Sequence, residues 1–98
     1  MTPTAARIHA LLIGIDAYAQ PGSRLAGCVN DVEAFAVFLR AQSEAAEAPC
    51  IIEKLTAPRG REPDENWPTR PRIVAALQSL AGESVLPGDR VIIYYSGH

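Results

Sequence analysis

Residues 8–15, Ile-His-Ala-Leu-Leu-Ile-Gly-Ile, are apolar on both alternating faces apart from His9. Such a run predicts a strand covered on both sides in a parallel sheet. Pro21, Gly22, Ser23 and Gly27 then mark residues 20–27 as a loop. Beyond it, Cys28, Val32, Phe35 and Leu39 recur at helical spacing, with Val29 and Ala36 widening the stripe, and residues 32–48 contain neither glycine nor proline. Asn30, Asp31 and Glu33 place acceptors and negative charge in the first turn of this helix, where free amides and the helix dipole favour them. Pro49 ends it, and Cys50-Ile-Ile-Glu-Lys-Leu is short enough to be a second strand.

Residues 57–72 read as a loop, because five prolines and glycines (Pro58, Gly60, Pro63, Pro68, Pro71) alternate with charged side chains. A second helix is expected from about Pro71 to Leu80, with Ile73, Leu77 and Leu80 on one stripe and Thr69 as its cap. Pro87-Gly88-Asp89 makes a turn into a third strand, Val91-Ile-Ile-Tyr-Tyr, which has no polar alternation. Strand, helix, strand, helix, strand is an α/β order with parallel strands and right-handed crossovers. Functional groups in such sheets gather at the carboxyl ends of the strands: Asp16 to Tyr18, Leu55 to Ala57, and Ser96-Gly97-His98. A third strand apolar on both faces reads as interior, so the expectation is that residues 1–98 form the front portion of one larger domain.

Composition narrows the function classes. The chain has 98 residues, a net charge of −2, 48% hydrophobic and 20% charged residues, as expected for a folded domain. It lacks the basic excess that nucleic-acid backbones require. No apolar run approaches the roughly 20 residues needed to span a bilayer. Arg7, the apolar residues 8–15 and Ala17-Tyr18-Ala19 imitate a signal peptide, but His9 and Asp16 interrupt the apolar segment at both ends, and removal would delete the clearest strand. Cys28 and Cys50 fit no zinc spacing, which leaves a reduced, cytoplasmic chain as the expectation. No Cys-x-x-Cys pair or glycine-rich phosphate loop follows any strand.

His98, at the tip of a parallel strand, is placed to act as a general base, since an imidazole titrates near pH 6.5 (about its ordinary pKa) and a strand end fixes it. An incidental chain terminus explains it equally well. Asp16 and Tyr18 also lie at the functional end of the sheet, where a turn residue and a packing aromatic account for them as readily. Asp31 alone reads as an ordinary first-turn carboxylate, and Cys28 and Cys50 as apolar packing residues. His9 belongs to the opposite end of the sheet, and Trp67 is either a clamp over the second helix or a contact for another segment.

Four segments taken together resemble the N-terminal half of the caspase-like cysteine peptidases, with the metacaspase and bacterial branch nearest. They are Ala10-Leu-Leu-Ile-Gly-Ile-Asp-Ala-Tyr, Leu25-Ala-Gly-Cys-Val-Asn-Asp-Val, Pro68-Thr-Arg, and Gly88-Asp-Arg-Val-Ile-Ile-Tyr-Tyr-Ser-Gly-His. Gly-Cys-x-Asn-Asp and Tyr-Tyr-Ser-Gly-His carry most of the specificity, and the segments cover essentially the whole chain in the family's order. The resemblance implies a three-layer α/β fold with a mainly parallel sheet, of which these residues are the front half. It places His98 on the catalytic histidine, which assists a cysteine thiolate on the next strand. That cysteine and the glycine after the histidine have no counterpart within these residues, so the 98 residues alone are expected to be inactive.

The resemblance also places Cys28, Asp31 and Ser96 in the pocket for the substrate residue before the scissile bond. A buried Asp31 carboxylate there favours Arg, which gains a bidentate pair, or Lys. Family members that cut after aspartate carry a basic residue near the position of Leu25, and Arg24 is one place away. The family's calcium-binding residues, where they occur, fall beyond His98, so no metal or cofactor is assigned to this chain and calcium remains a matter for the complete domain. Two classes of function follow: a cysteine endopeptidase acting on peptide or protein substrates, completed by the remainder of the domain, or a noncatalytic signalling or assembly module. A thiol at the start of the first helix could itself be a nucleophile, but the resemblance makes Cys28 a pocket wall.

Overall fold

A computed structural model describes residues 6–17 and 27–97. The first element, β1 (Ile8–Ile15), is followed by α1 (Cys28–Ala46), β2 (Cys50–Ala57), α2 (Arg70–Leu80) and β3 (Arg90–Ser96). The strands form one parallel sheet in the order β2-β1-β3. The chain steps from β1 outward to β2 and then back across β1 to β3. Right-handed crossovers in opposite directions send the two helices to opposite faces, which gives the three-layer α/β arrangement.

β1 is the centre of the molecule because its apolar residues serve both faces. Ala10 and Leu12 pack with Val32, Ala36 and Leu39 of α1, joined by Phe35, Cys50, Ile52, Ile92 and Tyr94. Leu11 and Ile13 pack with Leu55 and with Ala76 of α2, flanked by Ile15, Ile73 and Leu80. Leu11, Leu12 and Val32 have essentially no contact with solvent, and burying each contributes about 1.5–3 kcal/mol. The α1 stripe read from the sequence is therefore the buried stripe, with Phe35 half-buried and stacked on Tyr94 at a ring separation of 4.6 Å.

Two local readings change, and the place of β3 becomes explicit. On α2 the packed residues are Ile73, Ala76 and Leu80, while Leu77 is 41% exposed; the helix touches the sheet with a narrow strip that small Ala76 lets approach closely. The strand β2 runs two residues further than expected, to Ala57, because Thr56 and Ala57 continue the ladder with Gly14 and Ile15. Finally, β3 is an edge strand of the described sheet. Its Val91, Ile93 and Tyr95 are 44–56% exposed, since α2 lies over the β1–β2 half of that face. Among the described residues only the α1 side of β3 is covered, which leaves its other apolar face open, as the reading of residues 1–98 as the front portion of a larger domain anticipates.

At the amino end of the sheet, Asp89 ties three stretches of chain together. One carboxylate oxygen accepts from the Arg7 backbone amide at 3.0 Å, and the other from His9 Nε2 and the Leu86 amide, both at 2.9 Å. The Arg7 guanidinium adds an ion pair at 3.3 Å and donates to the Ser84 carbonyl at 2.6 Å. The amide hydrogen bonds, the His9 bond and the Arg7 charge hold the Asp89 carboxyl well below the usual carboxylate range. His9 is thus a buried structural partner, as its position on β1 suggested.

Candidate functional site

The carboxyl edge of the sheet brings together most of the residues singled out from the sequence. Ser96, the last residue of β3, lies opposite Gly14 of β1 in the strand register. Asp31 sits in the first turn of α1, one turn beyond Cys28. The Ser96 hydroxyl donates to Asp31 Oδ2 at 3.1 Å, so a contact spanning 65 residues of sequence joins β3 to α1 at this edge. Cys28 is buried and Asp31 exposed. The expectation of a buried Asp31 therefore gives way to a carboxylate open to solvent and steadied by one hydroxyl.

Why α1 begins where it does is settled by two features of β1. Gly14 permits a close approach: a Cβ there would lie 2.8 Å from Val32 Cγ2, 3.0 Å from the Cys28 carbonyl oxygen and 3.2 Å from Val29 Cα. Asp16, just past the strand, is buried and accepts from the Cys28 amide at 2.9 Å and the Val29 amide at 3.4 Å. The N-cap position is Gly27, in a left-handed conformation with φ 94°, and glycine has no side chain with which to cap. The capping role that the sequence gave to Asn30, Asp31 and Glu33 thus belongs to Asp16, twelve residues before Cys28. Glu33 instead pairs with Lys54 of β2 at 3.0 Å, and Asp31 is left to Ser96.

Asp16 was read as a turn residue because local sequence contains no sign of its partner. The usable signal is an acidic residue at the end of a buried strand followed by a helix whose cap position is glycine. Asp16 and Ala17 also donate their amides to the Ala57 carbonyl, each at 3.0 Å, so the ends of β1 and β2 stay together. His98, Arg24, Leu25 and Tyr18 lie outside the described residues. Cys50, half-buried on the α1 side of the sheet, carries a thiol whose pKa burial pushes up, partly opposed by Arg40, as suits a packing residue.

Trp67 lies in the loop that leads into α2. Its carbonyl accepts from the Thr69 amide at 2.8 Å and from the Arg72 guanidinium at 3.2 Å, which links the loop to the start of α2. Its indole N–H is buried without an acceptor among the described residues. Thr69 caps α2 as expected, its Oγ1 accepting from the Arg72 amide at 3.4 Å. Among the described residues, no group of three or more His, Cys, Asp or Glu could hold a metal ion, and no helix is long and apolar enough to cross a membrane.

The family model for the metacaspase, peptidase C14 domain, matches residues 8–98. Metacaspase-5 of Trypanosoma cruzi is 32% identical over 97% of this chain and 20% of its own length. Metacaspase-1 of Mycosarcoma maydis is 34% identical over 91% of this chain and 20% of its own length. Metacaspase-3 of Trypanosoma cruzi is 33% identical over 99% of this chain and 26% of its own length. The chain therefore spans about a fifth to a quarter of the curated relatives it matches. The likeness to bacterial members read from the sequence finds no counterpart among these three, which come from a trypanosome and a fungus. No solved structure gives a significant match.

Proposed function

This chain belongs to the metacaspase family of peptidase C14 domains, and from that premise we propose that it supplies the general base and part of the specificity site of a cysteine endopeptidase. In this reading the nucleophilic Cys lies on polypeptide beyond residue 98, and the remainder of the domain is the first partner of these residues. The His98 imidazole takes the thiol proton as sulfur attacks the peptide carbonyl, then gives it to the departing amine. Water repeats the sequence on the acyl-enzyme, releasing the acid and restoring the thiol.

Cys28, Asp31 and Ser96 form the site for the substrate side chain preceding the cleaved bond. The carrying observation is the Ser96–Asp31 hydrogen bond of 3.1 Å at the carboxyl edge of the sheet. It supports the reading because Ser96 stands two residues before His98 in the sequence, so the chain brings the anionic group close to the candidate general base. The hydroxyl orients one carboxylate oxygen and leaves acceptor capacity on both for a cation. A guanidinium fits that acceptor with two parallel N–H groups and an ammonium with one, so the substrate class is peptides with Arg or Lys before the scissile bond. Because Asp31 is exposed, the ion pair contributes about 1 kcal/mol, roughly fivefold in affinity. Residues 1–98 by themselves are inactive in this reading, and the setting is a reducing, cytoplasmic compartment with no nucleic-acid or membrane partner. In this reading any calcium that the complete domain uses is held outside residues 1–98.

The test is cleavage of fluorogenic peptides ending in Arg, Lys or Asp by the domain-complete protein and its His98→Ala variant, with and without calcium. Cleavage after Arg or Lys that vanishes in the variant supports both the base and the acidic site. Cleavage after Asp keeps the peptidase and removes the pocket assignment. Absence of cleavage under every condition assigns the chain to the noncatalytic module.

A further inference from the structure

Asp16 has no role in the chemistry above, yet it is one of two buried polar or charged residues among those described, His9 being the other. Both of its oxygens are committed to the first turn of α1, through the amides of Cys28 and Val29. These are two of the donors that a helix leaves without internal partners, and a carboxylate at this end also meets the positive pole of the helix dipole. Its own backbone is fixed by the 3.0 Å bond from its amide to Ala57. The carboxylate is therefore a strut between the paired ends of β1 and β2 and the start of α1.

We infer that Asp16 is a positioning residue for the proposed cationic-side-chain site, holding the first turn of α1 so that Asp31 stays on Ser96. The linkage is short. From Asp16 it passes to the Cys28 amide, along one turn of helix to Asp31, and through the 3.1 Å bond to Ser96, which the sheet register returns to Gly14, two residues before Asp16. Gly27 has no side chain with which to take over, so loss of the carboxylate leaves this turn held by packing, the Ser96–Asp31 bond and the exposed Glu33–Lys54 pair. Asp16 is buried and both of its oxygens are bonded to the first turn of α1, so it acts through the helix and not on the substrate. Removing it displaces the acceptor for the substrate cation while β3 stays anchored through the β1 ladder. The signature is a change in KM rather than kcat, larger for Arg and Lys peptides than for neutral ones.

This inference rests on the peptidase reading above, and the experiment separates the two. In the domain-complete protein, wild type, Asp16→Ala and Asp16→Asn are compared for KM and kcat on peptides with Arg or Gln before the scissile bond. Hydrogen exchange at the Cys28 and Val29 amides is followed in parallel. Asp16→Ala raises KM for the Arg peptide by roughly two- to fivefold, a rise bounded by the fivefold that the whole Asp31 contact contributes. Its kcat changes by less than about twofold, the Gln peptide is little affected, and both amides exchange faster by a similar factor. Asp16→Asn, which keeps an acceptor of the same shape, restores most of KM. Wild-type KM in a cleaving Asp16→Ala enzyme overturns the inference alone, as does an equal loss on both peptides that Asp16→Asn does not rescue. A wild type that cleaves after neither Arg nor Lys overturns the cationic-side-chain site and this inference with it, and one that cleaves no peptide at all overturns the peptidase reading as well.

Discussion

Gly14→Ala tests whether the closeness of β1 and α1 is as tight as the geometry implies. The added methyl would stand 2.8 Å from Val32 Cγ2, 3.0 Å from the Cys28 carbonyl oxygen and 3.2 Å from Val29 Cα. Two of those atoms belong to backbone in the first turn of α1 and have no rotamer by which to retreat. Overpacking of this kind costs about 1–3 kcal/mol. Against it stands the reduced freedom of the unfolded chain, worth about 0.4–1 kcal/mol to an alanine. The clash wins, with a net loss of about 1–2 kcal/mol by urea denaturation of the domain-complete protein. Val32→Ala alone, at a fully buried position, costs about 2 kcal/mol. The double variant removes the nearest clash but not the backbone one, so its cost falls about 1 kcal/mol short of the sum. Additivity within about 0.5 kcal/mol, or a neutral Gly14→Ala, refutes the close approach.

Other perturbations separate the remaining claims. Cys28→Ala keeps kcat within about threefold in peptide cleavage, whereas loss of all turnover would make Cys28 the nucleophile instead of a wall of the site. Asp31→Asn raises KM for Arg peptides about fivefold and leaves a neutral peptide unchanged. The Asp89 carboxyl is held below its unfolded value near 4, so its contribution is complete above about pH 4 and is lost as pH falls toward the depressed folded value. Asp89→Asn therefore lowers Tm at pH 7 and flattens the decline of stability below pH ~4; equal Tm differences at pH 7 and pH 3 contradict this. Thr69→Ala costs about 0.5–1 kcal/mol by the same denaturation assay, at the lower end for a cap because its bond is 3.4 Å. Residues 1–98 alone expose the Val91, Ile93 and Tyr95 face and self-associate on sizing columns, which a monodisperse, cooperatively melting monomer would contradict.

Elements with strong periodicity were legible in the sequence. The double-faced run of β1, the 3.6-residue stripe of α1 and the Thr69-x-Pro71 start of α2 each follow from local spacing, and the crossover rules then supply the sheet order's two covered faces. The Asp31 and Ser96 pairing was legible only through family resemblance, since no local pattern joins residues so far apart. What escaped were contacts made at long range by single polar atoms. Nothing near Asp16 announces the Cys28 amide, and nothing near His9 announces Asp89. The exposure of Leu77 escaped for a related reason, because periodicity identifies a face that could be buried and leaves open what stands against it.

The Asp89 cluster and the Ser96–Asp31 contact sit at opposite ends of β3, seven residues apart and roughly 23 Å along an extended strand. Side chains on a strand alternate in direction, so sliding β3 by one residue past β1 would turn Ser96 away from α1 and present Tyr95 or Gly97 to Asp31. The Arg7 and His9 bonds to Asp89 fix that alignment at the far end. They act as the zero mark of a ruler whose other end selects which side chain meets the carboxylate. A substitution at the base of the sheet can thus rewrite the chemistry at its tip without altering a single residue there.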